Sequence, residues 1–206
     1  MSRLKIIDAR SRKFGIAAVA ILTLGAILLY THVSRGEPEI ALVIGEPYEA
    51  MRQRSSAVID PAIPNEIWYN IPKSDARLRF IDPQYEFVTP LARFFTVSYV
   101  KGVVNTVRMS PQIEPMLLGD TLRVVVDLQD QWRKNGWRLI LEEDNPPFAD
   151  TPFWRARLEN CRSDTVYWQA ADKYQILLAV DCFDDDKHPG QKRYMITLAL
   201  AEPWLK

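Results

Sequence analysis

One uncharged run, Phe14 to Val33, stands out from the mixed polar and apolar pattern of the rest of the chain. At about 1.5 Å per helical residue, its twenty residues would span about 30 Å, the thickness of a bilayer's hydrocarbon core. The pattern therefore predicts a transmembrane helix at 14–33, with Phe14, Leu22, Leu28 and Tyr30 among its anchoring side chains.

The charges beside this run predict its orientation. Five basic residues precede it, whereas Arg35 on the other side is soon followed by Glu37 and Glu39. By the positive-inside rule, residues 1–13 form a cytoplasmic basic tail and everything after the helix is translocated. A cleaved signal peptide is the alternative, but the run is long for one and no small-residue cleavage site follows it. We therefore expect an uncleaved signal anchor in the inner membrane, with a periplasmic C-terminal domain after a linker at 34–41.

After residue 41 the apolar spacing predicts both helices and strands. A short helix begins near Pro47, which suits a first helical position, and a longer one runs from an Asp120 N-cap to Trp132, with Gly136 as its stop signal. Runs that alternate or are rich in β-branched and aromatic residues predict strands at 66–70, 77–81, 137–143, 165–169, 174–183 and 193–201.

A β-hairpin is predicted at 92–110, where two β-branched and aromatic runs flank Lys101-Gly102. Pairing Val100 with Val103 and alternating outward from them assigns side chains to the two faces. The predicted core face holds Phe94, Val100, Val103, Val107 and Met109, and the opposite face holds Val97, Tyr99 and Val104.

The two halves of the region after residue 41 share a pattern. A glycine, an acidic residue and a short helix precede strands in each half, with Gly45, Tyr48 and Met51 matched by Gly119, Leu122 and Val125. This predicts an α+β fold in which the transmembrane helix is followed by one or two small helix-plus-antiparallel-sheet units, at 42–115 and 116–206. Tandem duplication explains the match, and chance similarity is the alternative.

Composition and charge exclude two classes of protein. A hydrophobic fraction of 48% is too high for a disordered chain. Residues 1–34 carry five of the 26 basic and one of the 26 acidic residues, so the other 21 bases and 25 acids give the rest a net charge of −4. Because phosphate binding needs a basic surface, nucleic acid is not an expected partner.

The two cysteines, Cys161 and Cys182, both lie in the region expected to be translocated. An even number of thiols in an oxidising compartment favours a disulfide between them, and two buried free thiols are the alternative. No third cysteine or spaced histidine accompanies them, so zinc is not expected.

No motif of a known catalytic or cofactor site appears in the chain. His188 lies beside Asp184 to Asp186, a group that suits a solvated turn better than a calcium site or a catalytic set. We therefore predict a protein that is not an enzyme and uses no metal or cofactor. Acidic loops beside exposed aromatic residues favour protein binding, and the candidate partner-binding residues are Asp184, Asp185, Asp186, His188, Glu142, Glu143 and Asp144.

The repeated helix-and-sheet pattern, carried by the glycine and apolar positions of both halves, resembles two kinds of envelope protein. One is the BamE lipoprotein of outer-membrane assembly, whose lipid-bearing cysteine has no counterpart after the apolar run here. The other is the group of membrane-anchored periplasmic immunity proteins with tandem BamE-like α+β units. This resemblance implies binding to a toxic secreted effector. The alternatives are a structural or assembly subunit of an envelope or secretion complex, and a periplasmic hydrolase.

Overall fold

Strands dominate the part of the chain that the computed structural model describes, residues 36–143 and 145–205. Residues from Glu37 onward form one compact unit. In chain order its elements are β1 (Glu39–Leu42), α1 (Tyr48–Arg54), β2 (Ile67–Asn70), β3 (Arg77–Phe80), β4 (Phe87–Val88), β5 (Phe95–Val100), β6 (Val103–Met109), α2 (Leu118–Lys134), β7 (Arg138–Ile140), α3 (Pro152–Glu159), β8 (Asp164–Ala170), β9 (Tyr174–Asp184) and β10 (Lys192–Ala201).

Seven strands form one large antiparallel sheet in the order β2-β5-β6-β10-β9-β8-β7. Apolar residues alternate along these strands, as in β10, where Tyr194, Ile196, Leu198 and Leu200 are buried and their neighbours are more exposed. The alternation gives the inner strands of the sheet one buried face. α2 packs against β10 and α3 packs against β9.

A smaller sheet has the order β1-β3-β4, with β1 and β3 parallel. It joins the core through aromatic contacts. Phe80 of β3 lies edge-on to Tyr174 of β9, with ring centroids 5.0 Å apart, and Phe87 of β4 contacts Trp132 of α2 at 5.7 Å. Offset and edge-on ring pairs of this kind add stability beyond their buried area.

Glutamine side chains join segments that strands do not join. Buried Gln129 of α2 donates to the backbone oxygen of Phe148 and accepts from its backbone nitrogen, at 2.8 and 3.0 Å. Buried Gln112 bonds the backbone of Tyr194 and Ile196 in β10 in a similar way. Each amide replaces one rung of a β-ladder, so backbone groups in these loops are satisfied without a strand.

The predicted α+β fold class, with one or two small units and a possible duplication, is wrong. Within the described residues, ten strands and three helices make a mostly β structure of two sheets. β6 of the first predicted unit pairs with β10 of the second, with Met109 opposite Leu198. Backbone hydrogen bonds between β6 and β10 therefore place both predicted units in one sheet. Two separate units would leave this edge of β6 unpaired.

The predicted membrane topology also needs correction. No helix in residues 36–143 and 145–205 is long and apolar enough to cross a membrane. The segment at 14–33, with Phe14, Leu22, Leu28 and Tyr30, lies outside the described residues, as does the basic tail at 1–13. The described structure therefore contains no helix that could act as the predicted N-terminal transmembrane helix. The predicted single-pass inner-membrane localisation depended on that helix and is not supported either.

The hairpin at 92–110 forms, but its faces differ from the prediction. Ser98 lies opposite Thr106, but the next residue, Tyr99, lies opposite Val104. Asn105 therefore has no partner on β5 and forms a β-bulge. One extra residue reverses which side chains of β6 point inward before the bulge. The buried residues are Phe95, Val97, Tyr99, Val104, Val107 and Met109, whereas Phe94 and Val103 are exposed.

Stability should fall in alkaline solution because of Tyr174. Its hydroxyl donates to the Asp82 carboxylate at 3.0 Å, and burial, with help from Asp82, raises the pKa of Tyr174 to about 12 from an ordinary 10.0. Because the folded pKa exceeds the unfolded one, this contribution is complete below about pH 10 and is lost as pH rises toward 12. Urea unfolding between about pH 8 and pH 11 checks this.

The matched variants are Tyr174→Phe and Tyr69→Phe. We expect the alkaline loss of stability to be smaller in Tyr174→Phe than in the wild type. It should be unchanged in Tyr69→Phe, because Tyr69 is 48% exposed. Tyr48, with a pKa also raised to about 12, chiefly by burial, should account for part of the remaining loss. Equal slopes in all three proteins would count against this assignment.

Candidate functional site

The large sheet ends in an exposed apolar strand, β2. Ile67, Trp68 and Tyr69 are 70%, 53% and 48% exposed, and Asn70 is half-buried. A strand of a folded domain normally buries the side chains of at least one face. β2 buries neither face fully, and it carries two large aromatic side chains that a monomer gains nothing by exposing.

The outer backbone edge of β2 is unpaired. The amide of Lys101 donates to the carbonyl of Glu66 at 2.9 Å, so these two residues form a hydrogen-bonded pair of the ladder. Two positions further along β2, Trp68 lies opposite Tyr99. Because bonded and non-bonded pairs alternate in an antiparallel ladder, Trp68 and Asn70 bond to β5. The N–H and C=O groups of Ile67 and Tyr69 therefore point away from the sheet, and within the described residues no other strand pairs with them.

Exposed apolar residues extend the surface around β2. The rings of Trp68 and Tyr69 are stacked, with centroids 5.6 Å apart and planes at 13°. The segment before β2 runs close to it, since the Asn70 side chain donates to the carbonyls of Asp60 and Pro61 at 3.0 and 3.2 Å. We call the exposed residues on this strand and beside it the edge patch: Val58, Ile63, Ile67, Trp68, Tyr69 and Ile71.

A well-packed base supports the edge patch. Tyr48 of α1 and Tyr99 of β5 are fully buried, with ring centroids 4.8 Å apart. The Tyr48 hydroxyl donates to the Asp60 carbonyl and accepts from the Asn70 side chain, while the Tyr99 hydroxyl accepts from the Ile63 amide. These bonds fix the backbone on both sides of the patch, so it is a preformed surface.

Sequence reasoning predicts this strand but misses its exposure. The run Ile67-Trp68-Tyr69 has no polar alternation, so its pattern does not show which face is exposed to solvent. A signal for an edge was present in the flanking prolines Pro64 and Pro72, since prolines are typical of sheet edges.

The acidic residues predicted to bind a partner lie in two separate places. Asp184, at the end of β9, Asp185, Asp186 and His188 lie at the β9–β10 turn, and Glu142 and Glu143 follow β7, at the sheet edge opposite β2. Asp144 lies outside the described residues. No hydrogen bond or ion pair joins the two groups in the described part of the chain. Their role in binding stays a prediction.

Hydrogen bonds within the β9–β10 turn hold it together, and its Lys187 lies 4.0 Å from the carboxylate of Glu114. The Asp185 carboxylate accepts from the Lys187 amide at 3.0 Å and contacts His188 Nδ1 at 2.7 Å. The bond to His188, followed by the one to the Lys187 amide, lowers the pKa of Asp185 below its ordinary value. Within residues 36–143 and 145–205, no group of three or more His, Cys, Asp and Glu side chains is placed to hold a metal ion.

The predicted disulfide is present between Cys161 and Cys182, whose Cα atoms are 5.2 Å apart. It joins the turn after α3 to the C-terminal end of β9. It lies toward the opposite edge of the sheet from β2, so its role is structural support rather than part of the edge patch.

The edge patch is thus the surface of the described chain that most needs a partner, because it combines free backbone groups with exposed aromatic side chains. The resemblance to BamE-like immunity proteins stays a prediction. Comparison of this chain with protein-family models, with curated proteins and with solved structures finds no match.

Proposed function

We propose that this protein acts by binding another protein, which adds an extended segment to the free edge of β2. The observation that carries the proposal is the outward-facing backbone of Ile67 and Tyr69, with Trp68 between them. Strand addition uses such free groups for affinity and alternate side chains for specificity. Two exposed residues with both backbone groups free offer four hydrogen bonds to an incoming strand.

The side chains of the edge patch supply the apolar part of the interface. A whole aromatic side chain offers about 150–250 Å², so Trp68 and Tyr69, each about half exposed, present on the order of 200 Å². The four aliphatic residues of the patch enlarge this area. Trp and Tyr are the residues most often found at energetic hot spots of interfaces, especially when preformed pockets or stacks hold them.

The most specific form of the proposal is an immunity protein that blocks a secreted antibacterial effector, as the resemblance implies. The alternative is a structural or assembly subunit of a larger complex. Both act by holding another protein, and a strand laid along β2 suits either. Survival of a deletion strain beside sister cells that deliver effectors discriminates between the two roles. Deleting the gene of an immunity protein should abolish survival, whereas deleting the gene of an assembly subunit should leave survival unchanged.

Truncating Trp68 should weaken partner binding strongly. Loss of an aromatic anchor at the centre of an interface typically costs about 2 kcal/mol or more, which is about 30-fold in affinity. The matched control is Trp204→Ala, because Trp204 is comparably exposed, at 44%, and its backbone amide donates to Gln175 of β9, which is separated from β2 by three strands. Partner retention from cell extract on immobilised wild type, Trp68→Ala and Trp204→Ala measures the difference, followed by affinities for the retained protein.

A second variant separates the backbone from the side chains. Tyr69→Pro removes an N–H that points away from β5, so the sheet keeps its own bonds while the incoming strand loses one. We expect Tyr69→Pro to bind more weakly than Tyr69→Ala. A protein retained equally by wild type, Trp68→Ala and Tyr69→Pro would show that the edge patch is not the binding surface.

A further inference from the structure

A second feature, independent of the edge patch, is an open groove of about 560 Å³ at the beginning of α2. This volume lies within the range of small-molecule sites. Its walls are mostly apolar and include Leu91, Ile113, Met116, Leu117 and Val124. Ile113 and Leu117 are exposed, so the groove offers an apolar surface that water covers in the free protein.

Arg193 is the one cation that lines this groove, and no carboxylate in the described residues lies within ion-pair distance of it. Its Nη2 donates to Gln191 at 3.2 Å, and its Nε is buried without a hydrogen-bond partner. The three carboxylates around the groove are each paired with a different arginine: Glu37 with Arg77, Glu114 with Arg93 and Asp120 with Arg123. A guanidinium without a carboxylate partner in a mostly apolar groove favours an anion.

The N-terminus of α2 adds a second positive group at the same place. Met116 and Tyr194 exchange backbone hydrogen bonds of 3.1 and 2.9 Å, which sets Leu117 opposite Arg193. Leu117 is the N-cap residue of α2, and no side chain accepts a hydrogen bond from the first turn. The free N–H groups of a 17-residue helix and its dipole attract negative charge.

We propose that this groove binds an aliphatic monocarboxylate, with its carboxylate between Arg193 and the first turn of α2 and its chain along the apolar walls. A single negative charge fits better than a phosphate dianion, because Arg193 is the one cation in the lining of the groove and the arginines beside it are already paired with Glu37, Glu114 and Asp120. An aliphatic chain covers the apolar walls that a small inorganic anion would leave exposed.

Calorimetric titration of the full chain with decanoate tests the proposal, with decanol and decyltrimethylammonium as matched ligands, below the micelle concentrations of the two ions and the solubility limit of decanol. We expect saturable one-to-one binding of decanoate and no binding of the cation. Decanol should bind more weakly than decanoate by about tenfold or more, because a hydrogen bond to a charged group contributes that much to affinity. Equal binding of the anion and the cation would overturn the proposal.

Variants assign the carboxylate to Arg193. Arg193→Gln should weaken decanoate binding by about tenfold or more and leave decanol binding unchanged, whereas Arg193→Lys, which keeps the charge, should lose less. The control is Arg162→Gln, because Arg162 is exposed and does not line the groove. Circular dichroism and unfolding midpoints confirm that each variant is folded. Unchanged decanoate binding by a folded Arg193→Gln would overturn the assignment.

Discussion

Trp132→Ala should lower the free energy of unfolding by about 3–5 kcal/mol, the range for removing a large buried aromatic side chain. Trp132 is fully buried in α2 and contacts Phe87 of the small sheet and Trp168 of β8, with ring centroids 5.7 and 5.8 Å away. It therefore joins the helix to both sheets. The cavity left by alanine cannot close without moving elements that other contacts hold in place.

Two matched variants make this prediction specific. The Trp132 Nε1 is buried and has no hydrogen-bond partner, so Trp132→Phe removes volume without breaking a hydrogen bond and should cost much less than alanine. Trp204→Ala, at an exposed position, should change stability by about 0.5 kcal/mol or less. Chemical unfolding of the three variants gives the ranking. A cost below about 1 kcal/mol for Trp132→Ala would contradict the packing described here.

Removing the disulfide should cost about 3 kcal/mol in the chain-entropy model. Cys161 and Cys182 are 21 positions apart, and the bond limits the unfolded chain over the whole of β8 and most of β9. The double variant Cys161→Ser, Cys182→Ser should therefore unfold at a clearly lower denaturant concentration than the oxidised wild type. Cys182 is half-buried against the core, so lost packing adds to the cost.

Reduction of the wild-type protein provides the control for this variant. A thiol reductant should lower the unfolding midpoint of the wild type most of the way to that of the double variant, which also lacks the packing of the Cys182 sulfur, and should leave the double variant unchanged. If oxidised and reduced wild type unfold together, the bond does not contribute to stability in the way that loop closure requires.

Local patterns in the sequence predict many of the individual elements. The strand runs at 77–81, 165–169 and 174–183 correspond to β3, β8 and β9, and the helix at Pro47 and the one that Gly136 follows are both present. The reason is that alternation, helix-stop and turn residues act within a few positions of one another. Of the elements missed, α3 had a clear signal in Thr151-Pro152, where Thr151 caps the helix by accepting from the Trp154 amide.

Features that depend on distant partners could not be predicted from those patterns. β1 pairs in parallel with β3, and β6 pairs with β10 across a separation of about ninety positions. The bulge at Asn105 is invisible in a run of β-branched residues, yet it decides which side chains are buried. The exposure of Trp68 follows only from the place of β2 at the end of the sheet order.

The central claim is that a partner pairs with the free edge of β2. Its most direct test is amide hydrogen exchange at single residues, measured on the free protein and on its complex with a protein retained by wild type and lost by Trp68→Ala. We predict that the Ile67 and Tyr69 amides exchange quickly in the free protein and at least about tenfold more slowly in the complex. The amides of Trp68 and Asn70, which bond to β5, should be protected in both states. Ile67 and Tyr69 amides that exchange equally fast in the complex would contradict the claim.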